Sequence, residues 1–233
     1  MSKPVIELEL YLVRHGESMG NVGREAELTE PLRHDPPLTE KGEKQADLLG
    51  KYFADFPLDA LFASGMRRAL QTAEAVRFYQ PENGAKTVQV HKIFTECNTG
   101  EETVARTIKE INLDFPYAVC APETDANEGI MYYGRDDSDA VLLERGKQAI
   151  DYLRAHFHNG EKVMVAAHAA MNTFLLYAAL GLSHEQKFDP SFYNTSITKI
   201  IFFKEGTAKF ADVYLEYMNS VPHLISVFPD MKY

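Results

Sequence analysis

Two histidines and two arginines stand where they could carry out phosphate chemistry. His15 and Arg14 directly follow an apolar segment, and Arg68 and His168 each lie close behind another. A neutral imidazole nitrogen can attack phosphorus without a metal, and each guanidinium group can bind two phosphate oxygens at once. His168, if protonated, would add a cation and a hydrogen-bond donor for the charge that develops. These residue types indicate phosphoryl transfer to His15, although a single histidine at a strand end is more often structural.

The hydrophobic pattern predicts the elements that must position these side chains. Residues 6–13 alternate between apolar and polar and then become continuously apolar, as a strand that enters a core does. The predicted strands are residues 6–13, 58–63, 87–94 and 162–167, with a closing hairpin at 196–203 and 208–214. The predicted helices are residues 40–53, with Thr39 as N-cap, then 66–78, 140–157 and a last one after His168. Strands that alternate with helices predict an α/β fold, a three-layer α/β/α arrangement with a mainly parallel central sheet.

The polar clusters follow these strands in a regular way. Arg14 and His15 follow the first predicted strand, residues 64–68 the second, Glu96 the third and His168 the fourth. Sites in open α/β sheets collect beyond the carboxyl ends of the strands. We therefore expect the four clusters to form one shared pocket.

Composition narrows the class of protein. The chain has 233 residues, of which 45% are apolar, and this suits one domain over residues 1–233 that carries an insertion. The net charge of −10 argues against a general binder of nucleic acid or of an anionic membrane, although a few focused arginines can still bind a small anion. Cys97 and Cys120 lack the spacing of a disulfide framework or a zinc site, so we expect neither a metal nor another cofactor.

One apolar stretch could be mistaken for a membrane span. Residues 163–182 are nearly all apolar, but they include His168 and Asn172, which are costly in lipid, and the first half is strand-like and the second helix-like. We interpret the stretch as a buried strand and helix. The first residues lead into an alternating segment rather than a long apolar one, so we expect a soluble, cytoplasmic protein.

Residues 97–140 differ in composition from the rest of the chain. Between positions 101 and 139 acidic residues far outnumber the basic ones, which are Arg106, Lys109 and Arg135. This segment is predicted to be an insertion. A solvated insertion and an acidic lid over the site are the two interpretations of it.

A series of short motifs runs along the chain in a fixed order. They are Leu-Val-Arg-His-Gly-Glu-Ser at 12–18 with Asn21, Pro-Leu-Thr-x-x-Gly-x-x-Gln-Ala at 37–46, Ser-x-x-x-Arg-Ala-x-x-Thr-Ala at 64–73, Glu96, Val-Met-Val-Ala-Ala-His at 163–168, and Asn-Thr-Ser-Ile-Thr at 194–198. In this order they resemble the histidine phosphatase superfamily, which includes the cofactor-dependent phosphoglycerate mutases. Arg-His-Gly alone would be a weak signal, whereas the ordered set spans nearly the whole chain.

The resemblance implies a role for each matching residue. His15 would form a phosphohistidine intermediate, and Arg14, Arg68 and His168 would hold the phosphate. Glu96 would act as general acid toward the leaving oxygen and then as base toward water.

Several positions leave alternatives open. Glu17, Glu101 and Glu102 are rivals of Glu96, and Arg67 is a rival of Arg68, although the spacing to Ala69 and Thr72 favours Arg68. Asn21 would contact either the phosphate or the substrate, or else shape its loop. Ser64 more naturally shapes the turn at its strand end.

The chain also departs from the family pattern. Many members have His-Gly where this chain has His168-Ala169. Ala169 is small enough to line the substrate site, although a positive φ would cost more at alanine than at glycine. Many phosphatases carry a Gly-x-Trp-Glu-Gly segment after the acid, and this chain has no tryptophan. The subfamily and the substrate are therefore open.

Four functions are compared on these grounds. A phosphatase that acts on a small-molecule phosphomonoester is favoured, with no nucleic-acid or membrane partner and with a homodimer allowed. A phosphoglycerate-mutase-type phosphotransferase would need basic residues in the insertion, which is acidic. A non-catalytic module would have lost site residues, and a metallohydrolase would need more ligands and fewer arginines. The other histidines, which we expect to be mostly solvated, are His34, His91, His156, His158, His184 and His223.

Overall fold

A seven-stranded sheet forms the centre of the molecule. The computed structural model describes residues 3–97, 105–130, 137–186 and 188–228. The strands are β1 (Ile6–Arg14), β2 (Ala60–Ala63), β3 (Val88–Val90), β4 (Ala118–Cys120), β5 (Glu161–Ala167), β6 (Ile197–Phe203) and β7 (Val213–Ser220). They lie in the order β4-β3-β2-β5-β1-β6-β7. The first five of this order are parallel to each other, and β6 is antiparallel to both of its neighbours.

Helices cover both faces of the sheet. They are α1 (Glu40–Tyr52), α2 (Arg67–Tyr79), α3 (Ile108–Ile111), α4 (Asp139–His156) and α5 (Ala169–Leu180). Alternate residues of β1 point to opposite faces: Leu10 and Leu12 pack with residues of α4 and α5, whereas Tyr11 and Val13 pack with residues of α1 and α2. The predicted three-layer α/β/α fold with a mainly parallel sheet is therefore confirmed.

The apolar stretch at 163–182 is divided between β5 and α5, as the sequence predicts. Along the parts of the chain that the structure describes, no helix is both long and apolar enough to cross a membrane.

The predicted closing hairpin is wrong in its second strand. Its second strand is Val213–Ser220 and not 208–214, and the connection after β6 is correspondingly longer. In the register of the pair, Phe202 lies opposite Val213, and Leu215 lies opposite Ile200. Val213 and Leu215 pack against the core, whereas Phe210 in the connection is 90% exposed. The inward apolar positions begin at residue 213, and they set the register.

The predicted insertion contributes to the sheet. Its described part, residues 105–130, contains α3 and β4, and β4 pairs in parallel with β3 at the edge of the sheet. A strand of three residues is too short to give a periodic signal, so the sequence did not reveal it. Residues 98–104 and 131–136 of the predicted lid lie outside the described residues. The lid stays a prediction.

Candidate active site

The carboxyl ends of three adjacent strands bring the predicted residues together. β1 ends at Arg14 and is followed by His15, and β5, which lies between β1 and β2, is followed by His168. The rings of His15 and His168 face each other edge-on with centroids 5.1 Å apart. Arg68 reaches the same point from the first turn of α2 and donates from Nε to His15. The predicted convergence of these strand ends is what the structure shows.

His15 is arranged as a neutral nucleophile. Its Nδ1 lies 2.7 Å from the carbonyl oxygen of Gly16, which can only accept, so Nδ1 carries the proton. Its Nε2 accepts from Arg68 Nε at 3.1 Å and therefore holds a lone pair. Burial, together with the positive charges of Arg68 and Arg14, holds the pKa of His15 well below its ordinary value of 6.5. The ring thus stays unprotonated at Nε2 around neutral pH, which is the form that can attack phosphorus.

The hydroxyl of Ser64 binds one ring nitrogen of His168. Ser64 Oγ lies 2.7 Å from His168 Nε2 and already accepts from the backbone N–H of Met66. The hydroxyl can donate to Nε2 while it accepts from Met66, and the ring proton of His168 then lies on Nδ1. That Nδ1 is buried and has no partner among the described residues. Ser64 does shape its turn, as the sequence predicts, and it also holds the ring of His168 in place.

The surroundings of His168 favour the neutral ring over the cation considered from the sequence. Burial lowers its pKa well below 6.5, and the charges of Arg68 and Arg14 act in the same direction. A neutral ring with its proton on Nδ1 can still donate to a phosphoryl oxygen.

Arg14 and Arg68 supply the positive charge of the pocket. Arg14 Nη1 donates to the carbonyl of Phe192 at 2.6 Å. Desolvation lowers the pKa of both guanidinium groups, and the carboxylate of Glu96 acts in the opposite direction on both. Two half-buried guanidinium groups beside a nucleophile suit a phosphoryl dianion. Among the described residues, no group of three His, Cys, Asp or Glu side chains is arranged to hold a metal ion.

Glu96 lies at the amino end of α5. Its Oε1 accepts from the backbone N–H of Cys97 at 3.0 Å and of Met171 at 3.1 Å. Its negative charge acts to raise the pKa of both Arg14 and Arg68, so the carboxylate belongs to the same pocket.

The rivals of Glu96 and of Arg68 are placed differently. Glu17 is bound by Lys41 at 2.6 Å and by the hydroxyl of Thr39, while Glu101 and Glu102 lie outside the described residues. Arg67 points away from His15 and binds Asp114 at 2.7 Å. The spacing argument for Arg68 over Arg67 thus agrees with the geometry.

Asn21 and Ala169 are the two weaker predictions. The side-chain oxygen of Asn21 accepts from the backbone N–H of Ser18 and from the side chain of Asn194, which is the loop-shaping alternative. Ala169 begins α5 with helical backbone, so the cost of a positive φ does not arise. It lines, with Arg14, a cavity of about 510 Å³ that opens beside the pocket.

Two glycines let α1 approach the loop that carries His15. A Cβ on Gly16 would lie 2.6 Å from the carbonyl oxygen of Gly42, and one on Gly42 would lie 1.9 Å from that of Glu17. The N–H of Gly16 donates to Thr72 Oγ1, whose hydroxyl donates to the carbonyl of Arg68. Thr72 therefore ties the His15 loop to the helix that carries Arg68. Its presence in the motif at 64–73 was the signal that sequence reasoning left unused.

His223 is one of the six histidines predicted to be mostly solvated, but it is buried and supports the backbone at Arg14 and His15 through Thr195. It is 8% exposed, and its Nε2 lies 3.0 Å from Thr195 Oγ1, which donates to the carbonyl of Asn194. Thr195 has a φ of 57°, which is rare for a β-branched residue. From this conformation its N–H donates to the carbonyl of Arg14 at 2.9 Å.

Acidification is expected to destabilise the fold through His223. Burial lowers its pKa from 6.5 to about 4, so the unfolded chain binds a proton more readily than the folded chain does. The stability is complete above pH 6.5 and is lost as the pH falls toward 4, by about 2 kcal/mol between pH 7 and pH 5. Urea unfolding at these two pH values should show a smaller loss for His223→Gln, which donates to Thr195 without titrating. Equal losses in the two proteins would contradict this assignment.

Comparisons with known proteins agree with the geometry. The model of the histidine phosphatase superfamily (branch 1) matches residues 10–212. The chain is 39% identical over 69 residues to a protein of Erwinia tasmaniensis described as "Probable phosphoglycerate mutase GpmB". These 69 residues are 30% of this chain and 30% of that protein. Over 72 residues it is 35% identical to the fructose-2,6-bisphosphatase TIGAR B of Danio rerio, 31% of this chain and 27% of that protein. The matched region thus spans less than a third of the length of these two relatives.

A solved structure extends the likeness to the whole fold. The phosphoserine phosphatase of Entamoeba histolytica, in complex with 3-phosphoglyceric acid, superposes with a TM-score of 0.62. The match covers 93% of this chain and 99% of that one at 23% identity. At this identity the likeness concerns the fold.

Proposed function

Because the chain belongs to branch 1 of the histidine phosphatase superfamily, we propose that it hydrolyses small-molecule phosphomonoesters through a phosphohistidine on His15. The observation that carries the proposal is the state of His15. Its Nδ1 proton is held by the carbonyl of Gly16, and its Nε2 lone pair faces Arg68. A buried imidazole in this state needs no further base before it attacks phosphorus.

The first half-reaction transfers the phosphoryl group to the enzyme. Nε2 of His15 attacks phosphorus, and the bond from phosphorus to the leaving oxygen breaks. Glu96 gives its proton to that oxygen, so the alcohol leaves uncharged. Arg14, Arg68 and the Nδ1–H of His168 bind the phosphoryl oxygens. The Nδ1–H of His15 stays on the ring and continues to donate to the carbonyl of Gly16.

The second half-reaction restores the enzyme. A water molecule attacks the phosphorus of phospho-His15 and gives its proton to the carboxylate of Glu96. The bond from Nε2 to phosphorus breaks, and inorganic phosphate leaves. Glu96 has then regained the proton that it donated, so the cycle is balanced.

The reaction is proposed to be independent of metal ions. The charge that a divalent cation would neutralise is matched by the guanidinium groups of Arg14 and Arg68. Cys97 and Cys120 are free thiols, which suits the reducing cytoplasm that we propose as the location.

Mutase activity is the second candidate, because one relative is described as a phosphoglycerate mutase. A mutase must retain a doubly phosphorylated intermediate, and the acidic residues between positions 101 and 139 disfavour this. We propose that hydrolysis predominates, with neutral or cationic leaving groups preferred.

A screen of phosphomonoesters tests the proposal. We expect hydrolysis that is insensitive to EDTA, a phosphoenzyme that is stable in base and labile in acid, and higher kcat/KM for sugar phosphates than for bisphosphates. If no monoester is hydrolysed, or if EDTA abolishes turnover, the proposed mechanism is wrong. A clear preference for bisphosphates, with phosphate returned to a second acceptor, would favour the mutase.

A further inference from the structure

Asn219 lies outside every motif of the chain, yet it is joined to the pocket by one peptide group. It stands near the end of β7, where the pairing with β6 is irregular. Between the pairs Ile197–Ser220 and Lys199–Tyr217, β7 has two residues opposite the single Thr198. This is a β-bulge, and Asn219 has a φ of 53° within it. Bulges turn a side chain in a new direction and are frequent beside active sites.

The bulge directs the amide of Asn219 at the loop 190–193. Its Oδ1 accepts from the backbone N–H of Tyr193 at 2.8 Å, and its Nδ2 donates to the carbonyl of Ser191 at 2.9 Å. A longer contact of 3.4 Å reaches the carbonyl of Pro190. One side chain thus binds the loop on both sides of Phe192.

The peptide between Phe192 and Tyr193 connects Asn219 to Arg14. A trans peptide is planar, so its N–H and its carbonyl point in opposite directions. The N–H of this peptide is bound by Asn219, and its carbonyl accepts from Arg14 Nη1 at 2.6 Å. The Asn219 amide therefore fixes the direction in which the Phe192 carbonyl points, and that carbonyl fixes one edge of the Arg14 guanidinium.

We propose that Asn219 is a positioning residue, which holds the Arg14 guanidinium in the orientation that binds the transferred phosphoryl group. The proposal rests on the proposed function of the pocket. It assigns a role in catalysis to a residue that contacts neither substrate nor nucleophile. Half-buried guanidinium groups are effective only when their donors are aimed before the reaction begins.

The variants separate the side chain from the backbone. Asn219→Gly keeps the left-handed conformation and removes the amide, whereas Asn219→Asp keeps the acceptor for Tyr193 but loses the donor to Ser191. Val213→Ala, at the other end of the same strand, is the control for lost stability, because it removes core packing without touching the loop 190–193. We expect kcat/KM for p-nitrophenyl phosphate to fall about 10- to 100-fold in Asn219→Gly, with partial recovery in Asn219→Asp. Val213→Ala should stay near the wild-type value.

A double-mutant cycle distinguishes positioning from a general structural role. If Asn219 acts through Arg14, then Asn219→Gly costs little further activity in an Arg14→Ala background. An equal loss in both backgrounds would overturn the proposal. His15→Ala is measured in parallel: if that variant keeps its activity, the proposed function fails, whereas an inactive His15→Ala with an additive cycle defeats only the role of Asn219.

A second readout does not depend on turnover. Rotation of the Arg14 guanidinium can be followed by 15N NMR, with the signal assigned from Arg14→Lys. We expect faster rotation in Asn219→Gly than in the wild type and in Val213→Ala. Unchanged rotation would also overturn the proposal.

Discussion

Replacing His15 by alanine is expected to lower kcat by at least about four orders of magnitude, because it removes the atom that accepts the phosphoryl group. The variant should still fold, since the bond from Gly16 N–H to Thr72 continues to join this loop to α2 when the His15–Arg68 bond is lost. The measurement is kcat for p-nitrophenyl phosphate together with mass spectrometry of the acid-labile phosphoenzyme. Both the turnover and the adduct should disappear.

The matched control is another histidine that lies far from the pocket. His158 is exposed and precedes the amino end of β5, at the opposite end of the sheet. His158→Ala should keep wild-type turnover and the full yield of phosphoenzyme. If His15→Ala retained turnover, or if the phosphate were found on a different side chain, the assignment of the nucleophile would be wrong.

The residues proposed to bind the phosphate could be predicted from the sequence for a physical reason. Each directly follows an apolar strand or begins the next helix, and parallel strands of one sheet place their carboxyl ends together. His15, His168 and Arg68 therefore met as predicted. Choosing Arg68 over Arg67 was also possible, since neighbouring residues of a helix point about 100° apart and only one can face the sheet end.

The residues that support the pocket could not be predicted from the sequence by the same argument. Asn219 and His223 act across 26 and 28 positions of sequence, and each binds a loop residue that follows no periodic rule. Arg14 donates to the backbone carbonyl of Phe192. Every residue has such a carbonyl, so the residue type at position 192 does not reveal this contact. The bulge that directs the Asn219 side chain depends on the register between β6 and β7, and the predicted bounds of that hairpin are wrong.

Replacing Glu96 by glutamine is expected to give the second largest loss, and its size should depend on the leaving group. The amide oxygen can still accept from the backbone N–H groups of Cys97 and Met171, so the local structure is kept. The amide cannot give up or take a proton, so phosphorylation of His15 by esters of basic alcohols should slow about 10²- to 10⁴-fold. With p-nitrophenyl phosphate that step should slow least, because p-nitrophenolate leaves without protonation. The measurement is pre-steady-state release of each alcohol, with Glu17→Gln as the matched control because Glu17 is bound by Lys41.

The two proposed roles of Glu96 also predict which half-reaction limits turnover in Glu96→Gln. Hydrolysis of phospho-His15 needs a base for the attacking water, whichever ester formed the intermediate. With p-nitrophenyl phosphate, Glu96→Gln should therefore show a rapid burst of p-nitrophenolate, about one per enzyme, followed by slow turnover and a phosphoenzyme that accumulates. Alkyl esters should show no burst, since their slow step precedes the intermediate. A uniform loss for all esters, without accumulation, would mean that Glu96 transfers no proton, and the acid would then have to be sought elsewhere in the chain.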